Sequence, residues 1–185
     1  MSPAGNRDGE GVVVDHASDP VALEDWLNRK TIILGDINSG KTGLTRAVLD
    51  AFLREGYSGI TVIDIAPERT GGVGGRLELS SEMSRDRSLR ILTTKIDAPR
   101  LMGTSAEETE ALAAGNARRI EELFQAFLAD PGPVLFINDV SLYLQGGRQE
   151  RLDEVVSAAP TVIINGYHGH GLGDSAFSRR ERGGR

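Results

Sequence analysis

The sequence contains no cysteine. Disulfides, thiolate metal sites and cysteine nucleophiles are therefore excluded, and any metal would be held by oxygen ligands or histidine. Long apolar runs are missing too. No run approaches the roughly 20 residues that cross a bilayer, and Met1 to Gly11 is polar and glycine-rich where a signal peptide would be apolar. The expectation is a cytoplasmic protein without membrane association. Positive charge is in deficit as well. A net charge of -6 opposes a broad electrostatic grip on DNA or RNA, although Arg179, Arg180, Arg182 and Arg185 form a local basic cluster.

What is present suits one domain. A chain of 185 residues that is 39% apolar has room for a single core. Residues 1 to 18 read as a flexible tail, 19 to 185 as the domain, with a basic tail from about residue 174. Asp19-Pro20 reads as a helix start, and Val21, Leu23, Trp26 and Leu27 give that helix an apolar side.

Hydrophobic periodicity then alternates between two kinds of segment. Thr31-Ile32-Ile33-Leu34 is apolar throughout, the pattern of a strand buried on both faces of a parallel sheet. Leu44, Val48 and Phe52 recur at helical spacing from Lys41 to Glu55, with Gly56 in a C-cap position. Ile60 to Ile65 is a second strand, and Leu89-Arg90-Ile91-Leu92 a weaker third. Ser105 and Glu108 have capping-box spacing for a long helix that ends at Asp130-Pro131-Gly132-Pro133. Val134 to Asn138 reads as another strand, Leu152, Val155 and Val156 mark a last helix, and Thr161 to Asn165 a last strand. The alternation predicts a three-layer α/β/α fold around a mostly parallel sheet of about five strands. Ligands of such sheets bind at the carboxyl ends of the strands, where Gly35, Asp64, Asp139 and Asn165 all fall.

The first strand runs directly into Gly35-Asp36-Ile37-Asn38-Ser39-Gly40-Lys41-Thr42, with Gly43 behind it. These residues satisfy every fixed position of the phosphate-binding loop pattern. Gly35 and Gly40 let successive amides curl into an anion nest, and the helix that follows adds its positive dipole end. Lys41 would reach the outer phosphates of ATP, and the Thr42 hydroxyl would ligate Mg2+.

Two carboxylates at strand ends are candidate metal ligands. Asp139 is placed to orient magnesium, provided that its strand lies next to the one leading into the loop. Asp64 could share the metal or act as a base, and Glu68 is a further base in the same loop; each could equally cap a strand end or begin a turn. The residue after Asp139 is Val140 rather than a glutamate that could activate water. A base must then come from Asp64 or Glu68, or hydrolysis is slow and the acceptor is not water. The glycine-rich stretch from Arg69 to Arg76 suits either a flap that brings an arginine to the phosphates or a plain surface loop. His168 and His170, with no third ligand nearby, read as part of a loop rather than a metal site. Ser178 and Glu181 have capping-box spacing in the basic tail.

The loop Gly35 to Thr42 together with Asp139 resembles the P-loop nucleoside triphosphatases over roughly Lys30 to Asn165. Within them, the polynucleotide 5′-hydroxyl kinases of RNA processing are similar in the loop, in Ile63-Asp64-Ile65-Ala66-Pro67, in Ile137-Asn138-Asp139, in Gly146-Gly147 and in Pro160-Thr161. The chain departs from them at Glu68-Arg69, where they have Gly-Gln, and has no room for their additional β-rich domains. The resemblance implies a P-loop fold and a kinase activity on a polynucleotide. The same strand order is compatible with the dimerising ATPases that resemble nitrogenase iron proteins and septum-site regulators, which usually have a second lysine early in the loop, where Asp36 and Ile37 stand here.

The functional expectation is a magnesium-dependent NTPase. No Asn-Lys-x-Asp segment follows the last strand to hold guanine, so ATP is favoured over GTP. Two alternatives follow from the missing glutamate: a kinase that passes the γ-phosphate to a polynucleotide or small-molecule hydroxyl with Asp64 as base, or a nucleotide-controlled binding module with little turnover.

Overall fold

The computed structural model describes residues 21–36, 38–67 and 75–168. The proposed helix start at Asp19-Pro20, and also Ile37, Glu68, Arg69, His170 and the basic tail, lie outside the described residues.

Five strands form one all-parallel sheet: β1 (Lys30–Gly35), β2 (Ile60–Asp64), β3 (Leu89–Thr93), β4 (Val134–Asn138) and β5 (Thr161–Tyr167), in the order β1-β5-β4-β2-β3. Among the described residues five α-helices connect them: α1 (Lys41–Arg54), the short α2 (Pro99–Met102), the long α3 (Ala106–Ala129), the short α4 (Ser141–Leu144) and α5 (Gln149–Ser157). α2 and α4 were not expected from the sequence. Residues Leu23–Asp25 form a 3-10 helix where a short helix was expected, and Leu23 and Trp26 are buried beside α1 as the pattern implied.

Alternation along the strands sorts the core into two layers, which makes the fold three-layered. Val62, Phe136 and Ile163 face α1, where they pack with Val48, Leu49 and Phe52. Their neighbours Ile63, Ile137, Val162 and Ile164 face the other way, onto Ile120, Phe124 and Phe127 of α3 and Val155 of α5. β2 and β4 are buried at every position. Each large side chain buried there contributes about 1.5–3 kcal/mol.

β1 is a correction. It lies at the edge of the sheet, and only Ile33 packs into the α1 layer. Ile32 and Leu34 remain 61% and 57% exposed, so the strand is not buried on both faces. An unbroken apolar run signals burial of both faces only where a neighbouring layer reaches far enough to cover both.

The helix boundaries follow local chemistry. Gly40 (φ 84) turns the loop into α1, and Gly56 (φ 77) follows its last turn in the expected role. At the start of α3 the Ser105 hydroxyl accepts from the Glu108 amide at 3.1 Å. The Glu108 carboxylate reaches back to the Thr104 amide at 2.8 Å and the Thr104 hydroxyl at 2.5 Å. Those two bonds hold its pKa below the usual carboxylate value.

Candidate functional site

The loop between β1 and α1 owes its shape to a few backbone requirements. At Gly35 a Cβ would stand 2.5 Å from the Ser39 hydroxyl, so the turn closes only around glycine. Asn38 (φ 58) and Gly40 (φ 84) both take the left-handed conformation, which curls the segment into a concavity. The Lys41 ammonium folds over that concavity and donates to the Asp36 carbonyl at 2.5 Å and to Ser39 Oγ at 3.3 Å. Desolvation pushes the Lys41 pKa below its ordinary value, while Asp139 and Asp36 pull it back up. The ammonium is therefore poised between burial and two nearby carboxylates.

A cleft of about 660 Å³ opens in front of this loop, at the carboxyl ends of the strands. Asn38, Ser39, Gly40, Lys41, Thr42 and Gly43 line one end, and Asp139 with the Asn138 and Asn165 side chains forms the wall beside them. The sequence expectation thus gathers most of its candidates in one place. Gly35 and Asp36 lie at the root of the loop, behind the lining.

The strand carrying Asp139 is not adjacent to the loop strand, which corrects the condition set from the sequence. β5 lies between β1 and β4. Asp139 nonetheless lies near Lys41, because Asn165, two residues before the end of the intervening β5, holds it: the Asp139 amide donates to Asn165 Oδ1 at 2.7 Å, with Asp139 at φ 66. Asn165 donates in turn to Thr45 Oγ1 of α1 and to Asn138 Oδ1, each at 2.8 Å. Asn138 donates to Asp64 Oδ1 at 2.8 Å. A chain of buried amides thus ties α1, β5, β4 and β2 together beneath the cleft.

That chain gives Asp64 a different place from the one expected of a base or metal ligand. It is 5% exposed and absent from the cleft wall. Its carboxylate accepts from Asn138, from the Leu77 amide at 2.8 Å and from the Ala66 amide at 3.3 Å. The carboxylate fixes the segment that follows β2 instead of facing a ligand. Glu68, the other proposed base, lies outside the described residues.

Sequence reasoning missed Thr45, Arg46, Glu78, Arg100 and Gln145. All but Thr45 line the cleft, and Thr45 anchors its wall. A helix repeat signals only that Thr45 sits one turn beyond Thr42. Nothing in the sequence around Arg100 signals that α2 brings it to the cleft.

Thr42 and Asp139 supply two oxygen donors on one side of the cleft. Among the described residues no group of three or more histidine, aspartate or glutamate side chains could cage a metal. That donor set suits Mg2+, which takes one or two protein oxygens and completes its shell with phosphate and water.

No protein-family model matches the chain, and the search of curated proteins finds no relative. Among the described residues no helix is long and apolar enough to cross a membrane.

Proposed function

We propose that the chain binds Mg2+ and a nucleoside triphosphate, ATP in preference to GTP, and acts on the γ-phosphate as a P-loop NTPase. The observation that carries this reading is the loop between β1 and α1, left-handed at Asn38 and Gly40, that opens on a cleft lined by Lys41 with the Asp139 carboxylate near it. The loop amides and the first turn of α1 would cradle the phosphates. Lys41 would exchange its bonds to the Asp36 carbonyl and Ser39 for the outer phosphates, and charge returned to it there would offset its desolvation. Thr42 and Asp139 would hold the metal, whose chemistry is to neutralise the charge that develops on the phosphoryl oxygens.

A second reading, transfer to an acceptor other than water, is favoured by the carboxylates. Asp64 is engaged beneath the cleft, and Asp139 and Glu78 are the carboxylates that line it among the described residues. With Asp139 occupied by metal, activation of water would be poor and turnover to free phosphate slow.

Calorimetry with ATP and magnesium tests the main reading. Wild type should bind, and Lys41→Ala should lose binding or turnover. If the purified variant kept both, the assignment would fail. Labelled ATP offered with polynucleotide and small hydroxyl acceptors separates the readings, since label recovered only as free phosphate excludes the kinase.

A further inference from the structure

Beyond the loop, the cleft runs across the top of the sheet to a second cationic end. Arg76 follows β2, Arg100 lies in α2 after β3, and both line the cleft. β2 and β3 are the two strands farthest from β1. At about 4.8 Å per strand, the tip of β2 stands roughly 14 Å from that of β1, and the tip of β3 roughly 19 Å.

Arg76 is held toward the far side. Its Nη2 donates to the carbonyl of Thr94, just past β3, at 3.0 Å. Its backbone is held as well, because the adjacent Leu77 amide is the one that binds Asp64 Oδ2. Its Nε is buried with no hydrogen-bond partner among the described residues. Buried charged donors normally find an acceptor, so an anchored guanidinium with an unused buried donor at a cleft wall points to a ligand. The charge of the cleft agrees. Among the described residues four cationic side chains, Lys41, Arg46, Arg76 and Arg100, line it against the carboxylates of Glu78 and Asp139, in a chain whose net charge is -6.

We propose that the Arg76 end is a second anion subsite, taking the phosphate of a phosphomonoester or phosphodiester while the loop holds the nucleotide. The proposal rests on the nucleotide reading only for what fills the loop end. A guanidinium suits the role because it meets phosphate oxygens with directed donors, where an ammonium offers only a point charge. The bond to Thr94 holds the Arg76 side chain beside β3, at the opposite edge of the sheet from the strand that leads into the loop. The anchored geometry therefore separates two anions rather than clamping one.

The test is a titration of inorganic phosphate into protein saturated with magnesium and a non-hydrolysable ATP analogue, followed through the arginine Nε signals in nitrogen–proton NMR spectra. The Arg76 signal is assigned by its loss in Arg76→Gln, whose remaining spectrum also reports folding. Phosphate should shift the Arg76 signal while the analogue stays bound. Arg76→Gln should weaken phosphate binding, read from the remaining signals, by about ten-fold or more and leave analogue affinity unchanged. Three results overturn the proposal: phosphate binds only by displacing the analogue, Arg76→Gln leaves phosphate affinity unchanged, or sodium chloride of equal ionic strength produces the same shifts. If the analogue does not bind, the nucleotide reading fails alone. Phosphate titrated into Lys41→Ala protein, with and without Arg76→Gln, still decides the Arg76 end.

Discussion

Asn165 Nδ2 lies 2.8 Å from Asn138 Oδ1, and through this bond the carboxyl half of β5 is fixed to the end of β4 directly beneath the cleft. Both side chains are almost wholly buried. Each amide is engaged on both its oxygen and its nitrogen, so neither can flip without losing bonds. Such a pair fixes one arrangement of the wall beside the loop, and Asp139 inherits its position from it.

Asn165→Ala should therefore damage both stability and the site. It removes the acceptor of the Asp139 amide and the donor to Thr45 and Asn138, and leaves buried groups without partners. Each such group costs about 1–3 kcal/mol, so urea unfolding should show a loss of several kcal/mol. Nucleotide affinity, measured where the variant is folded, should fall as well. A variant as stable as wild type would show that the amide chain carries little energy.

The α/β class and the loop were legible in the sequence because both depend on local pattern. Gly35 and Gly40 are demanded by backbone geometry within a few residues, and the helical repeat after Lys41 needs no knowledge of distant partners. Strand order was not legible. The insertion of β5 between β1 and β4 depends on which crossover each helix makes, and Val134 to Asn138 would read the same beside either neighbour. For the same reason the exposure of Ile32 and Leu34 was hidden: composition reports apolarity, while coverage depends on how far α3 and α5 extend. Asp64 was found as a strand-end carboxylate, yet its partners Asn138 and Leu77 are distant in sequence, so its engagement could not be seen.

The edge position of β1 makes a sharp contrast testable. Leu34→Ala, at 57% exposure, should change the unfolding free energy by less than about 1 kcal/mol, while Ile164→Ala on the adjacent β5, at 5% exposure, should cost about 2–5 kcal/mol. Light scattering of Ile32→Lys protein should also show less association than wild type, since an apolar edge strand invites pairing with another chain. Equal losses for the two truncations would mean that β1 is covered in solution.

Tyr143 links stability to alkaline pH. Burial raises its pKa from 10 to about 12; its bond to the Arg148 backbone opposes the rise and the nearby Glu121 carboxylate adds to it. The folded state thus favours the neutral phenol, whose single proton lies between Glu121 Oε1 at 3.2 Å and the Arg148 carbonyl at 3.1 Å, while the Arg148 amide donates to the phenol oxygen at 3.2 Å. Because the folded pKa lies above the unfolded one, this contribution is complete below pH 10 and is lost between pH 10 and about 12. Urea midpoints measured across that window should fall for wild type, and Tyr143→Phe should remove that part of the slope. An unchanged slope in Tyr143→Phe would assign the transition to other groups.

Gly35→Ala should separate site from scaffold. The added Cβ would meet Ser39 Oγ at 2.5 Å and Ser39 Cβ at 3.2 Å, so the loop must open while the strands beneath it need not move. Nucleotide affinity should drop by about ten-fold or more, equivalent to about 1.4 kcal/mol, with a smaller loss in unfolding free energy. Full affinity in the variant would mean that the bound loop differs from the curl described above.

The missing glutamate after Asp139 has a structural reason, and it supplies the last prediction. With Asp139 at φ 66 the chain turns so that Val140 points down into the α3 layer, where it is 6% exposed. A Cβ on Gly166 would come within 3.1 Å of Val140 Cγ1, so the space around that side chain is already filled. A glutamate at this position would place its carboxylate in the apolar core instead of in the cleft. Val140→Glu should thus cost more than about 3 kcal/mol or fail to fold at neutral pH, and should raise no hydrolysis in any folded fraction. Val140→Leu, which adds bulk without charge, separates the two causes: overpacking costs about 1–3 kcal/mol, and any loss beyond that in Val140→Glu is the burial of charge. A stable Val140→Glu protein with faster ATP turnover would show instead that the residue after Asp139 reaches the cleft.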